Sequence, residues 1–165
     1  MSTKLIAIGN SLMCDEGIAV KVAEDLKDEL VNENIEVLFG ETAADFCCEE
    51  FKDSDLLFVL DATCYSLEPG TITLMPIDKY NSHFNSFITK HDISHLNSLC
   101  GDKNRSGYII GIEIDKITFD KNLSERLDNK FNLISDKVKN LIKVLKYSPN
   151  TMDISIIQNQ LNCLN

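Results

Sequence analysis

The chain has 165 residues, 44% of them hydrophobic and 25% charged, which suits one folded domain with its own core and argues against wholesale disorder. Its formal charge of −10 repels phosphate backbones and anionic lipid, so no nucleic acid and no membrane is expected as a partner. The six cysteines form no C-x-x-C pair, and Cys47 and Cys48 are neighbours, a poor arrangement for a structural disulfide. Free thiols in a reducing compartment follow, and with them a cytoplasmic location.

Leu5 to Ile8 is a short apolar run closed by Gly9-Asn10, the pattern of a buried strand stopped by a turn. It is too short for a signal-peptide core, and no later run approaches a membrane span. Ile18, Val22, Leu26 and Leu30 then recur every four residues, opposite Lys21, Asp25 and Lys27, which predicts an amphipathic helix packed on a sheet. Ile35 to Phe39 reads as a second strand and Ala43 to Phe51 as a short helix. Leu56 to Leu60 carries no polar residue and ends on Asp61, as a central parallel strand covered on both faces would.

Pro69-Gly70 marks a turn before a strand over Thr71 to Met75. Pro76 to Lys90 reads as a long loop, Ile93 to Leu99 as a helix and Tyr108 to Ile114 as a strand. Leu127, Phe131, Ile134, Val138, Leu141 and Leu145 form one face of a long helix, with Ser124 as its N-cap and Pro149 past its end. Alternating strands and helices predict an α/β fold, a mostly parallel twisted sheet between helix layers in a three-layer α/β/α arrangement. A single domain over 1–150 followed by a tail over 151–165 is the expected organisation.

Ligand sites of open α/β sheets gather beyond the carboxyl ends of the strands. Acids stand at two such ends, Asp15-Glu16 after the first strand and Asp61 after the central one. Each has a plain structural reading. Asp15 before a helix is a natural N-cap, Glu16 would complement the helix dipole, and Asp61 could cap a turn. Asp61 is the hardest to explain this way, because a carboxylate ending an apolar strand faces desolvation and needs a partner or a metal. His83, His91 and His95 look alike in isolation. Two carboxylates and one imidazole would suit a borderline divalent ion such as zinc or nickel and leave coordination positions open.

The chain resembles the hydrogenase maturation proteases in four blocks that follow in order from about residue 4 to residue 146. Ile8-Gly9-Asn10-Ser11-Leu12-Met13-Cys14-Asp15-Glu16-Gly17 is similar to their opening turn. Asp61-Ala62 followed by Pro69-Gly70-Thr71 resembles a second signature, Thr89-Lys90-His91-Asp92-Ile93 their histidine segment, and Gly111-Ile112-Glu113 a fourth. The resemblance implies that Glu16, Asp61 and His91 are both catalytic and metal-ligating, and that Asp15 is left as the helix cap. It further implies an endopeptidase that removes a C-terminal extension from the nickel-loaded precursor of a nickel-iron hydrogenase large subunit. The nickel would then come with the substrate protein, and other divalent ions such as zinc or cadmium could occupy the same ligands. A monomer is expected. Ala19, the segment Phe39-Gly40-Glu41-Thr42 and Lys90 depart from the family pattern, and Cys64 would add a soft donor if it turned inward.

Three other readings remain. A non-enzymatic chaperone would share recognition of the nickel-loaded precursor without turnover. A nucleotide-binding α/β protein is disfavoured by the absence of glycine-rich phosphate motifs and by two acids where a phosphate would rest. A cysteine peptidase is permitted by composition, but no Cys–His pairing is suggested by position.

Overall fold

The computed structural model describes residues 2–41, 56–77 and 106–147. Within them the chain forms β1 (Thr3–Ile8), a 3-10 turn (Cys14–Gly17), α1 (Ile18–Asn32), β2 (Ile35–Glu41), β3 (Leu56–Thr63), β4 (Ile72–Pro76), β5 (Ser106–Glu113) and α2 (Glu125–Tyr147). The strands make a five-stranded sheet in the order β2-β1-β3-β5-β4. β1 pairs in parallel with β2 and β3, and β3 with β5. β4 runs antiparallel to β5 at one edge. The predicted α/β class and mostly parallel sheet are therefore observed.

Burial follows from the pattern. Every residue of β1 and of β3 is buried, as expected for parallel strands covered on both sides. Leu5, Phe58, Leu60, Ile110 and Ile112 share one core with Ile18, Val22 and Leu26 of α1 and Ile134, Val138 and Leu141 of α2. The two helices pack on each other as well as sharing that core. Ser124 caps α2 as predicted: its hydroxyl accepts from Leu127 N at 3.4 Å, and its carbonyl accepts from Asp128 N at 2.8 Å.

One detail differs from the sequence reading. β3 does not stop at Asp61 but continues through Thr63, with Asp61 registered opposite Gly111 of β5. The local apolar run ends where the reading placed it, yet pairing with β5 holds the backbone extended for two more residues. The helices expected at 43–51 and 93–99, nearly all of the loop 76–90 and the tail 151–165 lie outside the described residues.

Topology singles out one place on this sheet. From β1 the chain moves outward to β2, then returns to set β3 on the other side of β1. The strand order reverses between β1 and β3, and a crevice opens beyond the carboxyl ends of strands at such a reversal.

Candidate active site

The turn leaving β1 is shaped by a glycine. A Cβ at Gly9 would lie 2.3 Å from the carbonyl oxygen of Glu16, so the chain can fold back on itself only without a side chain there. Asn10 closes the turn, accepting Leu12 N on Oδ1 at 3.0 Å and Met13 N on its carbonyl at 3.0 Å. The 3-10 turn follows and brings Glu16, 6% exposed, to the mouth of the β1–β3 crevice. Contacts between this turn and β3 hold it there.

Asp61 stands at the same end of the sheet on the adjacent strand, one residue beyond the Ala7–Leu60 pair. It is 1% exposed, and its Oδ1 accepts Ala62 N at 2.8 Å. The fold thus brings Glu16 and Asp61 to one switch point as buried carboxylates. His91, the third candidate, lies outside the described residues, as do His83 and His95. Among the described residues no three His, Cys, Asp or Glu side chains form a metal-holding group. The part of the site that is described therefore offers oxygen donors, a chemistry that suits divalent cations.

Asp15 does not cap α1, contrary to the sequence reading. Gly17 occupies the N-cap position, with no side-chain cap bond. The Asp15 carboxylate, fully buried, turns instead to the segment after β5. Its Oδ2 accepts Asp115 N at 3.1 Å and Lys116 N at 3.0 Å, and its Oδ1 accepts Ser124 N at 2.7 Å. An N-cap faces the helix that follows it, whereas the 3-10 turn rotates Asp15 away from α1.

Two further residues were not assigned a role from sequence. Glu113, 1% exposed at the end of β5, accepts the Thr63 hydroxyl at 3.0 Å and Tyr65 N at 2.9 Å on Oε2, and Leu67 N at 3.0 Å on Oε1. Its placement at the end of an apolar strand was the available signal, the same desolvation argument that raised Asp61. Tyr65 is half-buried, and burial followed by the charges of Asp61 and Glu113 pushes its phenol above the ordinary value. It therefore keeps its proton near neutral pH and offers an O–H in the field of Asp61.

Both loops border an open groove of about 470 Å³ lined by Cys64, Leu67, Pro69, Ile114, Lys116 and Arg126 among others. The Cys64 thiol is exposed rather than turned inward. Cys14 is buried, and burial followed by the neighbouring Asp15 charge pushes its thiol up, the opposite of what a thiolate nucleophile needs. Among the described residues no helix is long and apolar enough to cross a membrane.

Comparison with known proteins agrees with the resemblance read from the four sequence blocks. The chain is 29% identical over 119 residues to the hydrogenase expression/formation protein HupD of Thiocapsa roseopersicina, covering 66% of this chain and 52% of that protein. It is 34% identical over 76 residues to HupD of Bradyrhizobium diazoefficiens, covering 46% of this chain and 40% of that one. The chain thus spans about half the length, or less, of the curated relatives it matches. No family model matches. Among solved structures, the hydrogenase maturating endopeptidase HybD from Escherichia coli superposes with a TM-score of 0.66 at 18% identity, covering 90% of this chain and 94% of that one. The [NiFe] hydrogenase maturation protease HybD from Thermococcus kodakarensis gives 0.65 at 19%, covering 86% and 99%. The chain has their fold.

Proposed function

We propose that this chain is an endopeptidase of hydrogenase maturation, which removes a C-terminal extension from the nickel-loaded precursor of a nickel-iron hydrogenase large subunit. The observation that carries the reading is the pair of buried carboxylates, Glu16 and Asp61, at the β1–β3 switch point. Similarity to hydrogenase maturation proteins in sequence and to maturation proteases in fold supports it. His91 would complete the ligand set, and the partner is the precursor itself. A cytoplasmic monomer is the form in which the chain acts.

Glu16, Asp61 and His91 would hold the nickel ion that the substrate brings, and a divalent ion so held polarises a carbonyl and lowers the pKa of bound water. Zinc or cadmium could take the same place. The protein's own contribution is to present two carboxylates already desolvated and fixed. Burial strengthens their attraction for a cation, because little water competes. Tyr65 adds a phenol, half-buried, in the field of Asp61.

Incubation of the chain with nickel-loaded and nickel-free precursor tests this. The nickel-loaded protein should be shortened and the nickel-free one left intact. Asp61→Asn and His91→Ala should each slow cutting at least about 100-fold, the loss of roughly 3 kcal/mol of transition-state stabilisation. Full cutting by either variant overturns the assignment, and stable binding without any shortening makes the chain a chaperone instead.

A further inference from the structure

Residues 114–124 contain no helix or strand beyond one isolated bridge, Met13 with Asp120. Their shape is therefore set by point attachments. Ile114 N donates to Thr63 O at 3.0 Å, Cys14 N to Asp120 O at 2.7 Å and Asp120 N to Leu12 O at 3.1 Å. The backbone amides of Asp115, Lys116 and Ser124 all donate to the one carboxylate of Asp15. That side chain sits beside Glu16 in the 3-10 turn and grips the backbone of Asp115 and Lys116, which line the groove.

The opposite wall is fixed in a matching way. Glu113 holds Tyr65 and Leu67, and Arg126 spans the two walls, bonding Asp115 at 3.0 Å and Glu68 at 3.4 Å. The wall that carries Leu67 grows directly out of β3, three residues past Asp61, and the 114–117 wall is bound to the residue before Glu16. Both walls of the groove are thus tied, through the backbone, to the turn that carries Glu16 and the strand that carries Asp61.

We propose that Asp15 is a positioning residue, whose carboxylate fixes the 114–117 wall relative to Glu16 and so aligns the precursor segment that occupies the groove. This rests on the endopeptidase reading for its substrate. Asp15→Asn is the informative change. It preserves side-chain volume but turns an NH2 group toward backbone N–H donors that need an acceptor.

Amide exchange and cleavage kinetics on the full chain test the proposal together. In Asp15→Asn, the amides of Asp115, Lys116 and Ser124 should exchange at least about tenfold faster, as loss of a hydrogen bond to a charged group predicts, while those of β1 and β3 hold. KM for the nickel-loaded precursor should rise by a similar factor, with kcat changing by less. A general loss of stability would speed exchange across the sheet and would not raise KM selectively.

Unchanged loop exchange overturns the proposal, and so does a fall in kcat at constant KM. If the variant does not fold, exchange in the native chain decides. The three amides should be as protected as those of the sheet, and free exchange there overturns the clamp. Absence of cutting by the native chain defeats the endopeptidase reading and the positioning role with it. Faster loop exchange with unchanged KM defeats the positioning role alone.

Discussion

Leu67 donates its backbone N–H to Glu113 Oε1 at 3.0 Å, across 46 positions of the chain. With the Tyr65 amide and the Thr63 hydroxyl on the other oxygen, the buried carboxylate serves as the acceptor around which the post-β3 loop is wound. Glu113→Gln keeps the size and removes one of two acceptor oxygens. It should lower stability by about 1–3 kcal/mol in urea unfolding. Proteolysis should then begin in the 64–69 loop, and a variant as stable as the parent would mean that the loop is held by other contacts.

Gly9 offers a sharper test of the turn that carries Glu16. Gly9→Ala drives a methyl group into the Glu16 carbonyl, which is backbone and cannot swing away. A stability loss of at least about 2 kcal/mol is expected. Cutting should fall with it, because the turn must shift to make room. Native stability in thermal melts would show that the turn is softer than its geometry implies.

The cap of α2 is a smaller, separable contribution. Ser124→Ala removes the hydroxyl that meets Leu127 N but leaves the Ser124 N–H free to reach Asp15. The expected loss is about 1 kcal/mol, and Ser124→Gly should lose less at the cap itself. Denaturant melts of the two variants should rank parent, then Gly, then Ala.

Acid sensitivity should appear where α1 and α2 end together. Lys143 Nζ at 2.9 Å and the Tyr147 hydroxyl at 2.9 Å bond Glu33 and hold its carboxyl below the ordinary glutamate value. A lowered folded-state pKa stabilises above the unfolded value of about 4.3 and loses that contribution as pH falls through the folded value. The Tm gap between the parent and Glu33→Gln should be constant at pH 6 and close on acidification below the unfolded value. Because the Glu33 side chain is partly open to solvent, added salt should shrink the gap. A gap that persists at the acid extreme would place the effect outside this carboxyl.

The sequence revealed what depends on neighbours along the chain and missed what depends on partners far away. The four-residue spacing from Ile18 to Leu30 and the apolar run from Leu56 to Leu60 placed α1 and β3, since periodicity is a local signal. The antiparallel course of β4 was not legible, because direction is settled by β5, which comes more than 30 residues later. Asp15 was misread for the same reason. Local preference favours a cap, whereas the donors that hold it lie 100, 101 and 109 positions onward. Glu16 and Asp61 were selected by resemblance and by strand-end placement, and the fold brings both to one crevice. His91 rests on the resemblance alone.

The attachment of the opening turn to residues 115–124 has a consequence for the order in which the molecule is made. A ribosome releases Asp15 long before Ser124, so the turn after β1 waits 109 positions for its last anchor. Contacts of such sequence separation form late and slowly. The turn that carries Glu16 would then gain its fixed geometry only after Ser124 has been released, and a chain stopped before it would present a loose turn with little hold on a cation.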